Sequence, residues 1–365
     1  MVGKLTGERK MIIGVDAGCL GIKDERLKVG VYQVVFNLLF QLGKIDKKNN
    51  YRLYSFNPIE PKVMKQFGNR MENLVLHPAR GWMQARLPIE FLSKKPDVFL
   101  ALGQAMPRFH PFKTIGFVYD LAFEFYPDCY PDSLAKLRKN TKYLVKKADY
   151  LVTISKSSKK DIIQLYNVPE QKIKVFYPGV GSTFTPHGQK HSLGASYFLF
   201  VGALKRLKNI PFIIKGFTKF LTQSKQNFYL VIAGGDLWFD PKISKTNPKI
   251  KLLGYVPEKN LPALYRGATA FISPSLYEGF GMTLIEAMAC GCPVICGDTS
   301  AQPETVGKAG ILIDSTNINE LVRAMKKISV DKGLRRAMRD KGLKQARQFS
   351  WEKFAQGILG VINEN

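Results

Sequence analysis

The sequence predicts an α/β protein built from two doubly wound, Rossmann-like domains. Short apolar runs with the length of buried strands alternate with helical patterns through both halves, which is typical of parallel sheets covered by helices. A chain of 365 residues is also too long for one ordinary hydrophobic core. The segment 178–194 is rich in Gly, Pro, Ser and Thr and interrupts the alternation, so we interpret it as an interdomain connection. We therefore expect a first domain over 1–185 and a second over 186–349.

Each half contributes its own set of predicted strands and helices. The predicted strands of the first half are Met11–Val15, Tyr51–Phe56, Leu74–His77, Val98–Ala101, Thr114–Val118, Tyr150–Ile154 and Lys174–Tyr177. Those of the second half are Tyr197–Val201, Tyr229–Ala233, Lys251–Leu253, Ala270–Ser273, Val294–Cys296 and Ile311–Ile313. The helical patterns between them include Val31–Leu42, Ser157–Tyr166, Ile210–Thr222, Leu261–Arg266 and Ile318–Ile328.

The stretch Glu278–Glu286 places two carboxylates on either side of a glycine loop that opens a helix. The run Thr269–Ser275 before it predicts a buried parallel strand, and Thr283–Cys290 predicts a helix that ends at Gly291. A strand, a glycine loop and a helix N-terminus present backbone N–H groups to an anion such as nucleotide phosphate. The glutamates are better suited to sugar hydroxyls, because a carboxylate repels phosphate. The combination predicts a site for a sugar bonded to a nucleotide diphosphate.

Segment 273–298, SPSLYEGFGMTLIEAMACGCPVICGD, closely resembles the C-terminal signature of the family 4 retaining glycosyltransferases, in which seven residues separate two glutamates. Family-like stretches follow the same order along nearly the whole chain, at Ile12–Ala17, Gly30–Leu39, Pro96–Phe99, Val118–Leu121, Ala148–Ser155, Phe198–Leu204, Lys208–Asn209, Gly254–Pro257 and Phe349–Trp351. The resemblance implies the GT-B fold, in which the two domains face each other across a cleft and ligands bind at the carboxyl ends of the strands. It also implies that the terminal helix, within 350–365, packs back on the first domain.

The resemblance implies a donor site in the second domain. Lys208 matches the lysine that binds the diphosphate, where charge builds as the glycosidic bond breaks. Glu286 matches the glutamate that accepts hydrogen bonds from the ribose, and Glu278 the glutamate placed against the donor sugar. The loop residues expected to contact the sugar and the phosphates are Gly279, Phe280, Gly281, Met282 and Thr283.

Two further parts of the donor site have more than one interpretation from the residues alone. Ala203 and Leu207 depart from the family pattern, so Arg206 is expected to compensate as a second cation, although a plain surface charge is nearly as good an interpretation. The base is expected to stack near Tyr255 and Val256, where packing is the alternative role for the tyrosine.

The acceptor side carries two departures from the family. Gly30 matches the first glycine of the N-terminal loop, but Tyr32 stands where a second glycine is expected. The family commonly has His-Asp after the strand Thr114–Val118, where this chain has Tyr119 and Asp120. Tyrosine cannot carry a positive charge near neutral pH, so Tyr119 puts the choice of sugar and catalytic competence in question. Asp120 remains a candidate acceptor-positioning carboxylate or weak base.

No Asp-x-Asp metal motif accompanies the donor site, so we expect no metal and no cofactor, with the nucleotide sugar as co-substrate. The expected reaction moves a hexose with retention from a UDP- or GDP-sugar, mannose-type donors included, to a glycan or a lipid-linked acceptor. Two alternatives stay open. Hydrolysis or epimerisation of a sugar nucleotide would need no acceptor, and a basic nucleic-acid-binding protein would show salt-dependent binding to DNA or RNA.

The formal net charge of +26 is divided between the halves, with +14 on residues 1–185 and +12 on the remainder. Nucleic-acid binders more often concentrate their charge, so no nucleic-acid partner is expected. The helical pattern 133–147 does concentrate lysines, with Lys139, Lys142 and Lys146 on one face. Such a helix can lie on anionic lipid, but a core-facing helix with a solvated lysine face is the favoured interpretation.

The location of the protein is predicted from what the sequence lacks. It has neither a run of eighteen apolar residues nor the apolar core of a secretory signal. Its five cysteines are unevenly placed, and Cys290, Cys292 and Cys296 are better explained as small packing residues than as zinc ligands. We therefore expect a cytoplasmic protein, with contact at the inner face of the cytoplasmic membrane left open.

Overall fold

The computed structural model describes residues 10–28, 30–224, 226–235 and 247–364. Within these ranges, each half of the chain forms one parallel sheet. The first has the order β3-β2-β1-β4-β5-β6-β7, with β1 (Ile12–Asp16), β2 (Asn50–Ser55), β3 (Met71–Val75), β4 (Val98–Ala101), β5 (Lys113–Phe117), β6 (Tyr150–Thr153) and β7 (Ile173–Val175). The second has the order β10-β9-β8-β11-β12-β13, with β8 (Ser196–Val201), β9 (Phe228–Ala233), β10 (Ile250–Gly254), β11 (Ala270–Ser273), β12 (Val294–Gly297) and β13 (Gly310–Ile313).

Strand order reverses at one point in each sheet. In the first sheet, β1 pairs with both β2 and β4, and in the second, β8 pairs with both β9 and β11. Connections leave such a pair of strands in opposite directions, which opens a crevice at their carboxyl ends. Each domain therefore has one such crevice, between β1 and β4 or between β8 and β11.

Helices cover the sheets. Those of the first half are α1 (Val31–Ile45), α2 (Pro61–Phe67), α3 (Leu87–Ser93), α4 (Ala122–Phe125), α5 (Leu134–Lys147) and α6 (Lys156–Tyr166). Those described in the second half are α7 (Ile210–Thr222), α8 (Leu261–Gly267), α9 (Met282–Ala289), α10 (Gln302–Val306), α11 (Ile318–Val330), α12 (Lys332–Ala346) and α13 (Trp351–Asn363). The N-caps Ser155, Asp331 and Ser350 each accept a backbone N–H from the first turn of the following helix, which fixes where α6, α12 and α13 begin.

The predicted fold class is confirmed, since both sheets are parallel and doubly wound. Every predicted strand is present, and most differ by one or two residues at their ends. Leu74–His77 was the least accurate, because Met71 pairs with Tyr51 and the strand follows β2 rather than the apolar run. The helices α2, α3, α4, α10 and α12 were not predicted.

The terminal helix ties the second half of the chain to the first domain. It packs along α1, and Phe354 and Ile358 of α13 lie in one buried cluster with Leu38 of α1. The ammonium of Lys113, on β5, donates to the carbonyl of Val361 at 2.7 Å and so satisfies the last turn of α13. In the described part of the chain, no helix has both the length and the apolar composition required to span a bilayer.

Candidate active site

The candidate site lies at the carboxyl ends of β8 and β11, where the order of the second sheet reverses. The chain after β8 leads to Lys208, and the chain after β11 leads to Glu278. The Lys208 ammonium donates to Oε1 of Glu278 at 2.5 Å, and both side chains are largely buried, with 25% and 12% of their surface exposed. The fold thus brings together a cation and an anion that are 70 residues apart in sequence.

Glu278 is held from three directions. Ser275 donates its hydroxyl to the same Oε1 at 2.7 Å, and the backbone N–H of Glu278 donates to Oγ of Ser300 at 2.8 Å. Within the described ranges, neither a hydrogen bond nor an ion pair reaches Oε2, and this oxygen is available to a hydroxyl group. The carboxylate therefore has a fixed orientation with one unused acceptor.

Strained backbone concentrates around this pair. In the described residues, the non-glycine residues with positive φ are Gln104, Asn167, Asn209 and Ser300. Asn209 follows Lys208 and donates to the carbonyl of Ser315 at 2.8 Å, while Ser300 receives the N–H of Glu278. Gln104 donates to the carbonyl of Asp120 at 3.2 Å. Such conformations persist where the surroundings enforce them, and they cluster at functional sites.

Gly281 and helix α9 follow Glu278 along the chain. Gly281 has φ +93° and is the N-cap of α9, so no side chain caps the first N–H groups of this helix. Met282 and Thr283 are half-buried in the first turn, and the arrangement suits an anion. Phe280 faces the core instead, packed against Tyr177 and Phe349, so it shapes the loop from within.

Glu286 lies on the same helix in different surroundings. It is half-buried, and the Tyr265 hydroxyl donates to its Oε2 at 3.1 Å. Burial raises the pKa of Glu286 to about 8, the Tyr265 hydrogen bond lowers it and the nearby Glu258 carboxylate raises it further. Without a ligand, this carboxyl is therefore mostly protonated at neutral pH.

The first domain contributes Asp120 to the Lys208–Glu278 pair. A Cβ on Gly279 would lie 2.9 Å from both the Asp120 Cβ and the Tyr119 carbonyl oxygen, so only glycine allows this approach between the domains. Burial raises the pKa of Asp120, the N–H of Ala122 lowers it, and the Glu278 carboxylate raises it. We call Lys208, Glu278 and Asp120 the Lys208 cluster, and Glu286, Tyr265 and Glu258 the Glu286 cluster.

Tyr119 is close to the Lys208 cluster, but its hydroxyl is engaged elsewhere. It is buried and donates to the carbonyl of Leu102 at 2.8 Å, while its ring packs against Phe117. Burial also raises the pKa of Tyr119 further above its usual range, so the phenol stays neutral. The hydroxyl therefore supports the loop after β4.

The remaining predicted residues lie around the rim. Arg206 is exposed and donates to the carbonyl of Asp128 in the first domain at 3.1 Å. Tyr255 is partly exposed, with its hydroxyl 3.5 Å from the carbonyl of Glu25, and Val256 packs against the core. Gly30, with φ +55°, is the N-cap of α1. Within α1, Gln33 donates to Glu258 at 3.0 Å, which joins this end of the first domain to the Glu286 cluster.

Four polar residues that the sequence did not single out belong to this region, namely Asp16, Asp161, Tyr277 and Ser300. Asp16 ends β1 at the first domain's own crevice and accepts N–H groups from Gly18 at 3.3 Å and Gly103 at 3.1 Å, while burial raises its pKa to about 6. The Tyr277 hydroxyl donates to Asp161 across the cleft at 2.5 Å. An acid directly after a buried strand was a usable signal for Asp16, whereas Ser300 and Asp161 gave none.

Comparisons with known proteins find similar sequences and similar folds. Residues 185–345, which contain Lys208, Glu278 and Glu286, match the family model described as "Glycosyl transferases group 1". The chain is 29% identical over 330 residues to O-antigen chain mannosyltransferase B of Escherichia coli, covering 85% of this chain and 83% of that protein.

Two solved structures share the whole fold. Sucrose-phosphate synthase from Thermosynechococcus elongatus matches with a TM-score of 0.75 at 17% identity, covering 97% of this chain and 98% of that one. The Anabaena protein Alr3699/HepE, solved with UDP and glucose, matches with a TM-score of 0.72 at 15% identity, covering 98% of this chain and all of that one (100%). These similarities establish the GT-B fold, and the sequence matches support glycosyl transfer as the reaction.

Proposed function

We propose that this glycosyltransferase moves a hexose, with retention and without a metal ion, from a nucleotide-diphosphate sugar to a glycan or lipid-linked acceptor. The observation that carries the proposal is the 2.5 Å contact between Lys208 and Glu278 at the carboxyl ends of the two central strands, with Asp120 facing it from the other domain. In this arrangement, a cation that can stabilise a leaving diphosphate (Lys208) lies beside a carboxylate that can accept hydrogen bonds from sugar hydroxyls (Glu278).

Each of the two clusters binds a different part of the donor molecule. Lys208 and the first N–H groups of α9 bind the diphosphate, because together they supply positive charge at one place. The unused Oε2 of Glu278 accepts a hydroxyl of the transferred sugar. Glu286, one turn further along α9, accepts the ribose hydroxyls. A nucleotide-sugar donor is supported by the UDP and glucose bound to the structurally similar Anabaena protein.

In the proposed reaction, the hexose is transferred with retention. The bond between C1 of the sugar and the diphosphate oxygen breaks as the acceptor oxygen forms its bond to C1 from the same face. The proton of the acceptor hydroxyl passes to the departing phosphate oxygen. Lys208 stabilises the charge that builds there, and one preorganised donor of this kind contributes about 3–4 kcal/mol. Asp120 orients the acceptor hydroxyl.

The substrates are inferred at the level of class. The similarity to an O-antigen chain mannosyltransferase favours a mannose-type donor and a growing polysaccharide as acceptor. The buried free thiols Cys290, Cys292 and Cys296 suit a reducing compartment, so we place the reaction in the cytoplasm.

The test is transfer from a series of UDP- and GDP-sugars by the wild type, Lys208→Ala and Glu286→Ala, with Lys205→Ala as an exposed cation control. We expect Lys208→Ala to lower turnover by about 10²–10³-fold and Lys205→Ala to leave it unchanged. Thermal melting checks that each variant is folded. Near wild-type turnover by folded Lys208→Ala would contradict the assignment, and release of free sugar without acceptor would indicate a hydrolase.

A further inference from the structure

Helix α3 presents large apolar side chains to solvent. Leu92 is 74% exposed, the most exposed large apolar residue in the described ranges, and Ile89 on the same helix is 59% exposed. Phe109, in the loop before β5, is 43% exposed. The opposite side of α3, with Leu87 and Phe91, is fully buried, so the exposed residues form a second apolar face that has no partner among the described residues.

The loop that carries Phe109 lies between α3 and α5. The Phe91 ring packs edge-on against Phe112, with centroids 4.9 Å apart, which places the loop beside α3. The Tyr143 hydroxyl of α5 donates to the carbonyl of Arg108 at 3.1 Å, which places the same loop beside α5. We call the surface formed by Ile89, Leu92, Phe109 and the outer side of α5 the α3–α5 face.

The outer side of α5 carries only positive charge along its length. Lys139, Lys142 and Lys146 are all exposed, and within the described ranges none of them forms an ion pair. The inner side of the helix, with Thr141 and Leu144, is fully buried. Lysines that serve only for solubility would be mixed with acids, whereas here a row of cations borders exposed aliphatic and aromatic groups.

We propose that the α3–α5 face binds the surface of an anionic lipid bilayer. The lysines match the negative charge of the headgroups, and Leu92, Ile89 and Phe109 enter the boundary between headgroups and acyl chains. A nucleic acid would match the cations but leave the aliphatic groups in water. The Gln104 amide donates both to the carbonyl of Asp120 at 3.2 Å and to the hydroxyl of Thr141 on α5 at 3.2 Å, so α5 lies beside Asp120. If the proposed function holds, a lipid-linked acceptor reaches Asp120 from this side.

The experiment is flotation of the full-length protein with vesicles of phosphatidylcholine alone or with about one-third phosphatidylglycerol, at roughly 0.1 M salt. We expect binding only to the anionic vesicles. The triple variant K139Q/K142Q/K146Q should lower the partition coefficient about a hundredfold, since each lysine near such a surface contributes roughly a factor of five. The variant I89S/L92S/F109S should lower it about tenfold.

The control variants remove the same kinds of side chain, lysine and exposed apolar, from another surface of the protein. K332Q/K341Q/K344Q removes three exposed lysines of α12, and V330S removes an exposed apolar side chain at the end of α11. Both should bind vesicles like the wild type. Unchanged binding by both variants of the α3–α5 face, or an equal loss in the α12 control, would overturn the proposal. The proposal would also be overturned if the protein bound heparin tightly while I89S/L92S/F109S kept full vesicle binding. No sugar is transferred in the assay, so its failure leaves the proposed function intact.

Discussion

The two glutamates of the candidate donor site, Glu278 and Glu286, have different neighbours. Glu278 contacts the Lys208 ammonium at 2.5 Å, whereas Glu286 accepts from the Tyr265 hydroxyl and lies near a second carboxylate, Glu258. The Lys208 cluster can hold its charges because they compensate one another. Among the described residues, no cation pairs with Glu286, so burial favours the protonated carboxyl.

Under the proposed function, this contrast suits the two clusters to different tasks. A departing diphosphate needs a cation that is already in place, and a paired anion keeps that cation oriented until the donor arrives. Ribose hydroxyls are neutral hydrogen-bond donors. The Glu286 carboxyl can accept their hydrogen bonds once it has lost its proton. Two acids with divergent environments are the usual sign of divided roles in an active site.

Removing the charge of Glu278 should produce the largest effect. We expect Glu278→Gln to lower transfer by about 10²–10³-fold, because the sugar loses its charged acceptor. The same change should tighten binding of a nucleoside diphosphate about tenfold, because Lys208 no longer has a competing anion at 2.5 Å. Turnover and calorimetric affinity for UDP and GDP measure the two opposing changes.

Ser275→Ala is the matched control for that change, since it removes another hydrogen bond to the same Oε1 without altering charge. Its affinity for nucleoside diphosphate should stay near the wild-type value. Weaker binding of nucleoside diphosphate by Glu278→Gln would mean that the Lys208–Glu278 pair does not separate on binding.

The Glu286 cluster predicts a pH dependence of donor affinity. If ribose hydroxyls donate to the ionised carboxylate, binding must first remove the proton that is held with a pKa of about 8. Affinity should therefore fall by roughly tenfold for each pH unit below 8. Calorimetry with an intact nucleotide sugar between pH 6 and 8.5 measures this, and Glu286→Gln should show a flat profile. A wild-type affinity that is constant over this range would rule out the ionised form as the binding state.

The fold could be predicted because each buried parallel strand corresponds to a short apolar run in the sequence. Helices were predicted when a long apolar stripe repeats, as in Ile210–Thr222. The seven-residue helices α2 and α3 are too short for that pattern. In α12 the buried residues are only Met338, Gly342 and Ala346, too few and too small to mark an apolar face.

Site residues could be predicted only where they occur in short, recognisable segments of sequence. Lys208, Glu278 and Glu286 occur in such segments, and their roles remain predictions. The hydroxyl of Ser300 reaches the N–H of Glu278 from 22 residues away through a left-handed backbone, which residue type does not indicate. The pKa of Glu286 depends on burial beside Tyr265, and the ion pair of Lys208 depends on the pairing of β8 with β11.

Ser300 offers a smaller change within the Lys208 cluster. Ser300→Ala removes the acceptor of the Glu278 N–H and keeps a non-glycine residue at φ +50°. We expect a loss of about 1 kcal/mol in the free energy of unfolding and about tenfold in turnover. Ser300→Gly relieves the strain, so it should recover most of the stability but not the turnover. Denaturant melts and steady-state rates compare the two. If Ser300→Gly restored turnover as well, the hydroxyl would not position Glu278.

The smallest effect should appear in stability without ligand. An unfolded glutamate titrates near 4.5, whereas Glu286 titrates at about 8 in the fold. Between these values the folded chain keeps a proton that the unfolded chain has lost, so stability falls as pH rises from about 5 to about 8. Glu286→Gln removes this penalty and should melt about 2–4 °C above the wild type at pH 8.5, with little difference at pH 5. Calorimetric melts at both pH values test this, with Glu352→Gln on the exposed side of α13 as control. Equal melting temperatures at pH 8.5 would place a cation or water beside Glu286 and remove the contrast between the clusters.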